Sequence, residues 1–212
     1  MKSLLLDIHS KWIACLTIAL MVLFIHKSGT SQEINIPAET HNQDSIIVSY
    51  RETLGGTRES MDSTALTIFS DGYMQIHRPF FMKQSGIYGA YLNWESLDHL
   101  WHLLTAREIL QFDTTIVHKK IQEEKQQQKT LLSSVNSISD APTTIIEIYP
   151  NRYKSSAQEF EQGNLHAKKT ISWRGLKWTA EQFPSLEEIR PLITIQHEFE
   201  KIMDRSDFEK IK

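Results

Sequence analysis

The sequence predicts an α+β domain: a mostly antiparallel sheet with two long helices packed on one face, in the order β-ββ-α-ββ-α. Three observations carry this expectation. Asp71-Gly72 separates two short runs of alternating apolar residues, which is a strong hairpin signal. Leu97, Leu100, Trp101 and Leu104 recur at helical spacing. TTIIEIY (143–149) is dense in β-branched residues and closes on Pro150-Asn151, as a strand ending in a turn does.

The domain does not begin at Met1. Lys2 and Lys11 flank the start of WIACLTIALMVLFI (12–25), an unbroken apolar run of fourteen residues followed by small and polar HKSGTSQ. This is the layout of a secretory signal peptide over 1–31, with Gly29-Thr30-Ser31 as a cleavage site. An uncleaved signal anchor is the alternative, although a spanning helix uses about twenty residues. The expected location is therefore extracytoplasmic, with a membrane tether through 12–25 if the signal stays. Residues 32–43 read as a linker, 44–205 as a single domain and 206–212 as a tail.

Within the domain, SIIVSYR (45–51) is the first strand. STALTIFS and YMQIHR form the hairpin around Asp71-Gly72, with Leu66 and Ile68 on one face and Met74 and Ile76 on one face of the partner. PFFMKQSGIYGAYLN (79–93) mixes aromatics with glycine and has no clean period, so it is an edge strand or an aromatic loop. Asn93 is placed to cap the helix that follows, expected to end near Leu110. Residues 120–141 are polar and of low complexity, and read as an excursion or frayed helix. KTISW (169–173) is the last strand. Ser185 and Glu188 have capping-box spacing before the final helix, whose start Pro191 must kink or delay.

Composition narrows the function. The chain of 212 residues carries a net charge of −3; Lys2, Lys11 and Lys27 against Asp7 give +2 within 1–31, leaving −5 for the rest. Without a basic cluster, nucleic acid is not an expected partner. The sole cysteine, Cys15, lies in the apolar run, so the exported portion has no disulfide, zinc thiolate or thiol nucleophile. No nucleophile elbow or Ser-x-x-Lys motif occurs, and Glu123-Glu124 and Glu187-Glu188 are adjacent residues that cannot face each other across a cleft.

Two sets of residues remain as candidates. TLGGTRES (53–60) offers Gly55, Gly56 and Arg58 between two strands; it lacks the lysine and the following helix of a phosphate loop. With Phe80, Phe81 and Tyr88 from the aromatic stretch, these form a candidate surface for contact with another envelope or secreted protein. Glu95, His99 and His102 can share one face of the first helix and are the candidate metal ligands, although two histidines at i, i+3 depart from the zincin spacing. No cofactor is expected. The leading reading is a non-catalytic, exported protein-interaction domain; a metal-binding protein or enzyme centred on the first helix, and a purely structural envelope protein, are the alternatives.

The stretches SYRETLGGTRES, LTIFSDGYMQIH, WESLDHLWHLL, SDAPTTIIEIY, KTISW and PSLEEIRPLITI together resemble small exported bacterial domains and, more distantly, the emfourin-type inhibitors of thermolysin-like metalloproteases. The resemblance rests on Arg51, Gly55 and Gly56 near the first loop and Asp140 ahead of a strand, with Thr57 where the family has an aromatic. It implies the α+β fold and, by analogy, protease inhibition.

Overall fold

The computed structural model describes residues 42–53, 63–129, 141–153, 155 and 168–211. The signal segment, nearly all of the linker, Gly55, Gly56, Arg58 and Asp140 lie outside the described residues. Among those described, no helix is long and apolar enough to cross a membrane.

The fold is α+β, built on a seven-stranded antiparallel sheet. Four strands come first: β1 (Ile46–Thr53), β2 (Thr64–Phe69), β3 (Tyr73–Arg78) and β4 (Gly86–Tyr91). Three helices follow: α1 (Trp94–Thr105), α2 (Arg107–Leu110) and α3 (Thr114–Lys129). The chain then adds β5 (Thr143–Ile148), β6 (Lys169–Arg174), α4 (Leu176–Gln182), α5 (Arg190–Met203) and β7 (Glu209–Lys210). In space the strands run β6-β5-β1-β2-β3-β4-β7, so β1 pairs with β2 on one side and with β5 on the other.

Apart from Ile47, at a bulge in β1, register brings these core-facing residues in line across the sheet. Val48 and Tyr50 oppose Ile68 and Leu66 on one side and Ile148 and Ile146 on the other. Leu66 and Ile68 in turn oppose Ile76 and Met74, and Ile146 opposes Ile171. All of these are buried, in one cluster with Leu97, Leu100, Trp101 and Leu104 of α1, Val117 and Ile121 of α3, and Leu192, Ile195, Phe199 and Ile202 of α5. Strand periodicity of two and helical periodicity of 3.6 thus converge on a single core.

Local chemistry sets the boundaries. Gly72 adopts φ 84°, and the Asp71 carboxylate accepts from Tyr73 N at 3.0 Å, which closes the β2–β3 turn. Asn93 Oδ1 accepts from Ser96 N at 2.8 Å, the N-cap of α1. Asp113 accepts from Thr115 N at 2.8 Å and from Ile116 N at 3.4 Å at the start of α3.

Several expectations change. The element order is not β-ββ-α-ββ-α: residues 79–93 include a full strand, β4, and the first helix breaks at Ala106 into α1 and α2. Of the two readings of the polar stretch from about 120, an excursion or a frayed helix, the structure has a helix as far as Lys129, in α3; among its described side chains Val117 and Ile121 are buried, so it needs little apolar sequence. Residues 206–212 are not merely a tail, because β7 pairs with β4 through Tyr88–Lys210 and Gly89–Glu209. Ser185 and Glu188 form no capping box. Pro191, with no N–H to lose, sits in the first turn of α5 and delays its start to Arg190. Ser185 instead donates to Glu124 at 2.6 Å, and Glu188 pairs with Lys120 of α3.

Candidate functional site

Antiparallel pairing brings several connections to one end of the sheet. Glu52 at the end of β1 opposes Thr64 of β2 and Thr144 of β5; Ala65 opposes His77; Arg78 opposes Gly86. Thr53 and Ser63, which flank the segment containing Gly55, Gly56 and Arg58, therefore lie at the same end as the β3–β4 tip. Two bonds join them there: Ser63 O lies 3.2 Å from His77 Nδ1, and Thr64 Oγ1 donates to Met82 Sδ at 3.6 Å.

The β3–β4 tip is apolar and open. Phe80 is 78% exposed, Phe81 57% and Met82 41%. The two rings meet edge to face with centroids 5.6 Å apart. Three consecutive large apolar side chains in water are a cost the chain retains without using them in its core. The turn beneath them is held firmly. Met82 N donates to Pro79 O at 3.0 Å, and Arg78 reaches Gln84 Oε1 at 2.8 Å and the Met203 carbonyl of α5 at 3.3 Å. Tyr88 is half-buried, with the Arg78 guanidinium 4.7 Å above its ring centre, so it supports the tip from below.

A second feature opens at the same end. Alternation along β1 directs Val48, Tyr50 and then Glu52 toward the core side, so a carboxylate stands where an apolar residue is expected. Across from it, Gln196 occupies the buried stripe of α5 between Leu192 and Phe199. The two polar residues meet: Gln196 Nε2 donates to Glu52 Oε1 at 2.6 Å. Beneath them the Tyr50 ring packs on Phe199 at 4.7 Å, and its hydroxyl lies near both Glu52 and Gln196 without a hydrogen bond of normal geometry. Burial first, and then the Glu52 charge, push the Tyr50 phenol far above its ordinary range, so it remains a neutral hydroxyl. Over this group is a recess of about 360 Å³, bordered also by Pro142, Thr144, Lys177 and Trp178.

Trp173 and Trp178, close in sequence, have separate roles. Trp173 is core, its Nε1 donating to Thr179 Oγ1 at 3.1 Å and its ring stacked on His118 of α3 at 4.5 Å. Trp178 is half-buried at the recess.

The residues proposed for a metal do not assemble. Glu95 and His99 border a groove of about 310 Å³ between α1 and α5, and His102 does not. The groove's other charges are engaged: Lys201 with Glu198 at 3.6 Å, and Arg205 with Asp207 and the Tyr91 carbonyl. Among the described residues, no group of three or more His, Cys, Asp or Glu side chains is placed to hold a metal ion. Arg51, one residue of the inhibitor resemblance, alternates to the sheet face opposite Tyr50.

No protein-family model, no curated protein and no solved structure matches this chain. Glu52 and Gln196 escaped the sequence reading because 144 residues separate them. The signal available was a polar residue in the core phase of both β1 and α5.

Proposed function

We propose that this chain is an exported, non-catalytic domain that binds another envelope or secreted protein through the β3–β4 tip. One observation carries the reading: Phe80, Phe81 and Met82 are exposed together on a turn whose backbone and flanking arginine are fixed. Aromatic residues and methionine are enriched in the buried centres of protein contacts, and a preorganised tip loses little entropy on docking. The connection holding Gly55, Gly56 and Arg58 is flanked by residues at the same sheet end and is the second part of the proposed surface. Export is supported by the apolar run 12–25 behind Lys2 and Lys11. The resemblance to emfourin-type inhibitors nominates a secreted thermolysin-like metalloprotease as the first partner to try.

The experiment is capture of partners from an envelope and secreted fraction by the full-length chain and by a Phe80→Ser/Phe81→Ser variant. Loss of a specific partner with unchanged stability is expected. Equal capture by both proteins would remove the tip from the reading, and a Gly56→Trp variant asks the same of the neighbouring connection. Absence of inhibition of any thermolysin-like enzyme at micromolar concentration would remove the protease version alone.

A further inference from the structure

The recess beside Glu52 is bordered by one carboxylate, that of Glu52, and by the Gln196 amide. Among the described residues, the Glu52 carboxylate has no ion-pair partner, and it accepts a hydrogen bond from Gln196. Gln196 is only 3% exposed, yet its Oε1 has no hydrogen-bond partner, and neither has the buried Tyr50 hydroxyl. Buried oxygens left in this state are destabilising, and natural proteins keep few of them without a reason. Among the described residues, Lys177 is the sole cation bordering the recess, and its ammonium is taken by Glu200 at 2.7 Å. The first turn of α4 also borders it, but that helix has seven residues and a correspondingly small dipole. The walls add an indole, Trp178, and the apolar surface of Pro142 and Leu176.

We propose that this recess binds a guanidinium group, with Glu52 as its charged acceptor, Gln196 positioning that carboxylate, and Trp178 as the aromatic wall. Guanidinium is planar, carries five N–H donors, pairs with a carboxylate through two parallel bonds and stacks on aromatic faces. An ammonium offers one point charge and no plane, so it uses less of this surface. The volume, about 360 Å³, is at the small end of ligand sites and suits a single side chain or a small amine. The inference stands on the recess and does not depend on the aromatic tip.

The test is titration of the full-length chain, followed by calorimetry and by the Trp178 indole N–H resonance, assigned by its loss in Trp178→Phe. The probes are N-acetyl-arginine methylamide, its citrulline counterpart (same shape, no charge), its lysine counterpart, agmatine and inorganic phosphate. Saturable binding of the arginine probe that perturbs the Trp178 resonance is expected, weakened about tenfold or more by Glu52→Gln and by replacement with citrulline. Tighter binding of the capped arginine than of agmatine would assign the ligand to a peptide, and the reverse to a free amine; both support the site. Equal binding of arginine and citrulline probes, tighter binding of the lysine probe, binding of phosphate in place of guanidinium, or no saturable binding overturns it. The citrulline comparison uses the unaltered protein and survives any folding defect in Glu52→Gln.

Discussion

Tyr73 of β3 lies across Gly89 of β4, one diagonal step from its direct partner Tyr91. A methyl group at Gly89 would overlap the Tyr73 hydroxyl and come within 2.9 Å of Ile211 Cδ1 beyond β7. The Tyr73 ring cannot simply swing aside, because it packs between Phe69 at 5.7 Å and Tyr91 at 5.2 Å. Gly89→Ala is therefore expected to cost about 1–3 kcal/mol, the usual range for overpacking. Denaturant unfolding in wild-type and Tyr73→Leu backgrounds checks it: the penalty shrinks when the phenol is gone, and a background-independent penalty would contradict the contact.

The Asn93 cap makes a smaller, cleaner prediction. Asn93→Ala removes the bond to Ser96 N and is expected to cost about 1 kcal/mol, while Asn93→Asp retains an acceptor and most of the stability. Comparable losses in both variants would show that Asn93 matters for another reason.

Tyr50→Phe runs against the usual direction. It deletes a buried hydroxyl that has no well-formed bond and keeps the ring on Phe199, so stability should stay level or rise by up to about 1 kcal/mol. A loss of more than about 1 kcal/mol would mean the hydroxyl is bonded in solution.

Acid should weaken the fold through Asp113 and Glu188. Backbone donors from Thr115 and Ile116 hold Asp113 below its ordinary 3.8, and the Lys120 ammonium holds Glu188 below its ordinary 4.5. A carboxyl depressed in the folded state contributes fully above its unfolded pKa, and the contribution is lost as pH falls through the folded value. Stability thus declines on acidification below about pH 4.5. Asp113→Asn keeps a capping acceptor but cannot titrate, so its stability curve should be flatter in that window; an unchanged slope would remove Asp113 as a cause.

Deleting 206–212 takes away β7 and leaves the β4 edge unpaired at Tyr88 and Gly89. Open edges recruit other chains. The truncated protein is expected to self-associate with increasing concentration where the full chain does not, as light scattering would register.

Elements with dense local chemistry were legible in the sequence: β5 from its β-branched run, the β2–β3 turn from Asp71-Gly72, α1 from its stripe and cap. β4 was legible only as one of two alternatives, an edge strand or an aromatic loop, because GIYGAY has two glycines, and one of them is covered by Tyr73 from the neighbouring strand instead of by its own side chain. α3 was legible only as an excursion or a frayed helix, because among its described side chains just Val117 and Ile121 are buried in a polar stretch. β7 consists of exposed Glu209 and Lys210 and pairs by backbone alone, which no hydrophobic pattern records. Phe80 and Phe81 stood out by type, and their exposure required the fold. The recess was out of reach, since its polar pair comes from distant segments.

The placement of β1 between β2 and β5 also sets the timing of folding. Thr53 and Thr143, which meet at that seam, are 90 residues apart. A chain emerging from its N-terminus can zip β1 through β4 early, but one side of β1 must then wait for β5. Through that interval the row Val48, Tyr50 and Glu52 has no neighbour on that side and α5 is not yet present to cover it.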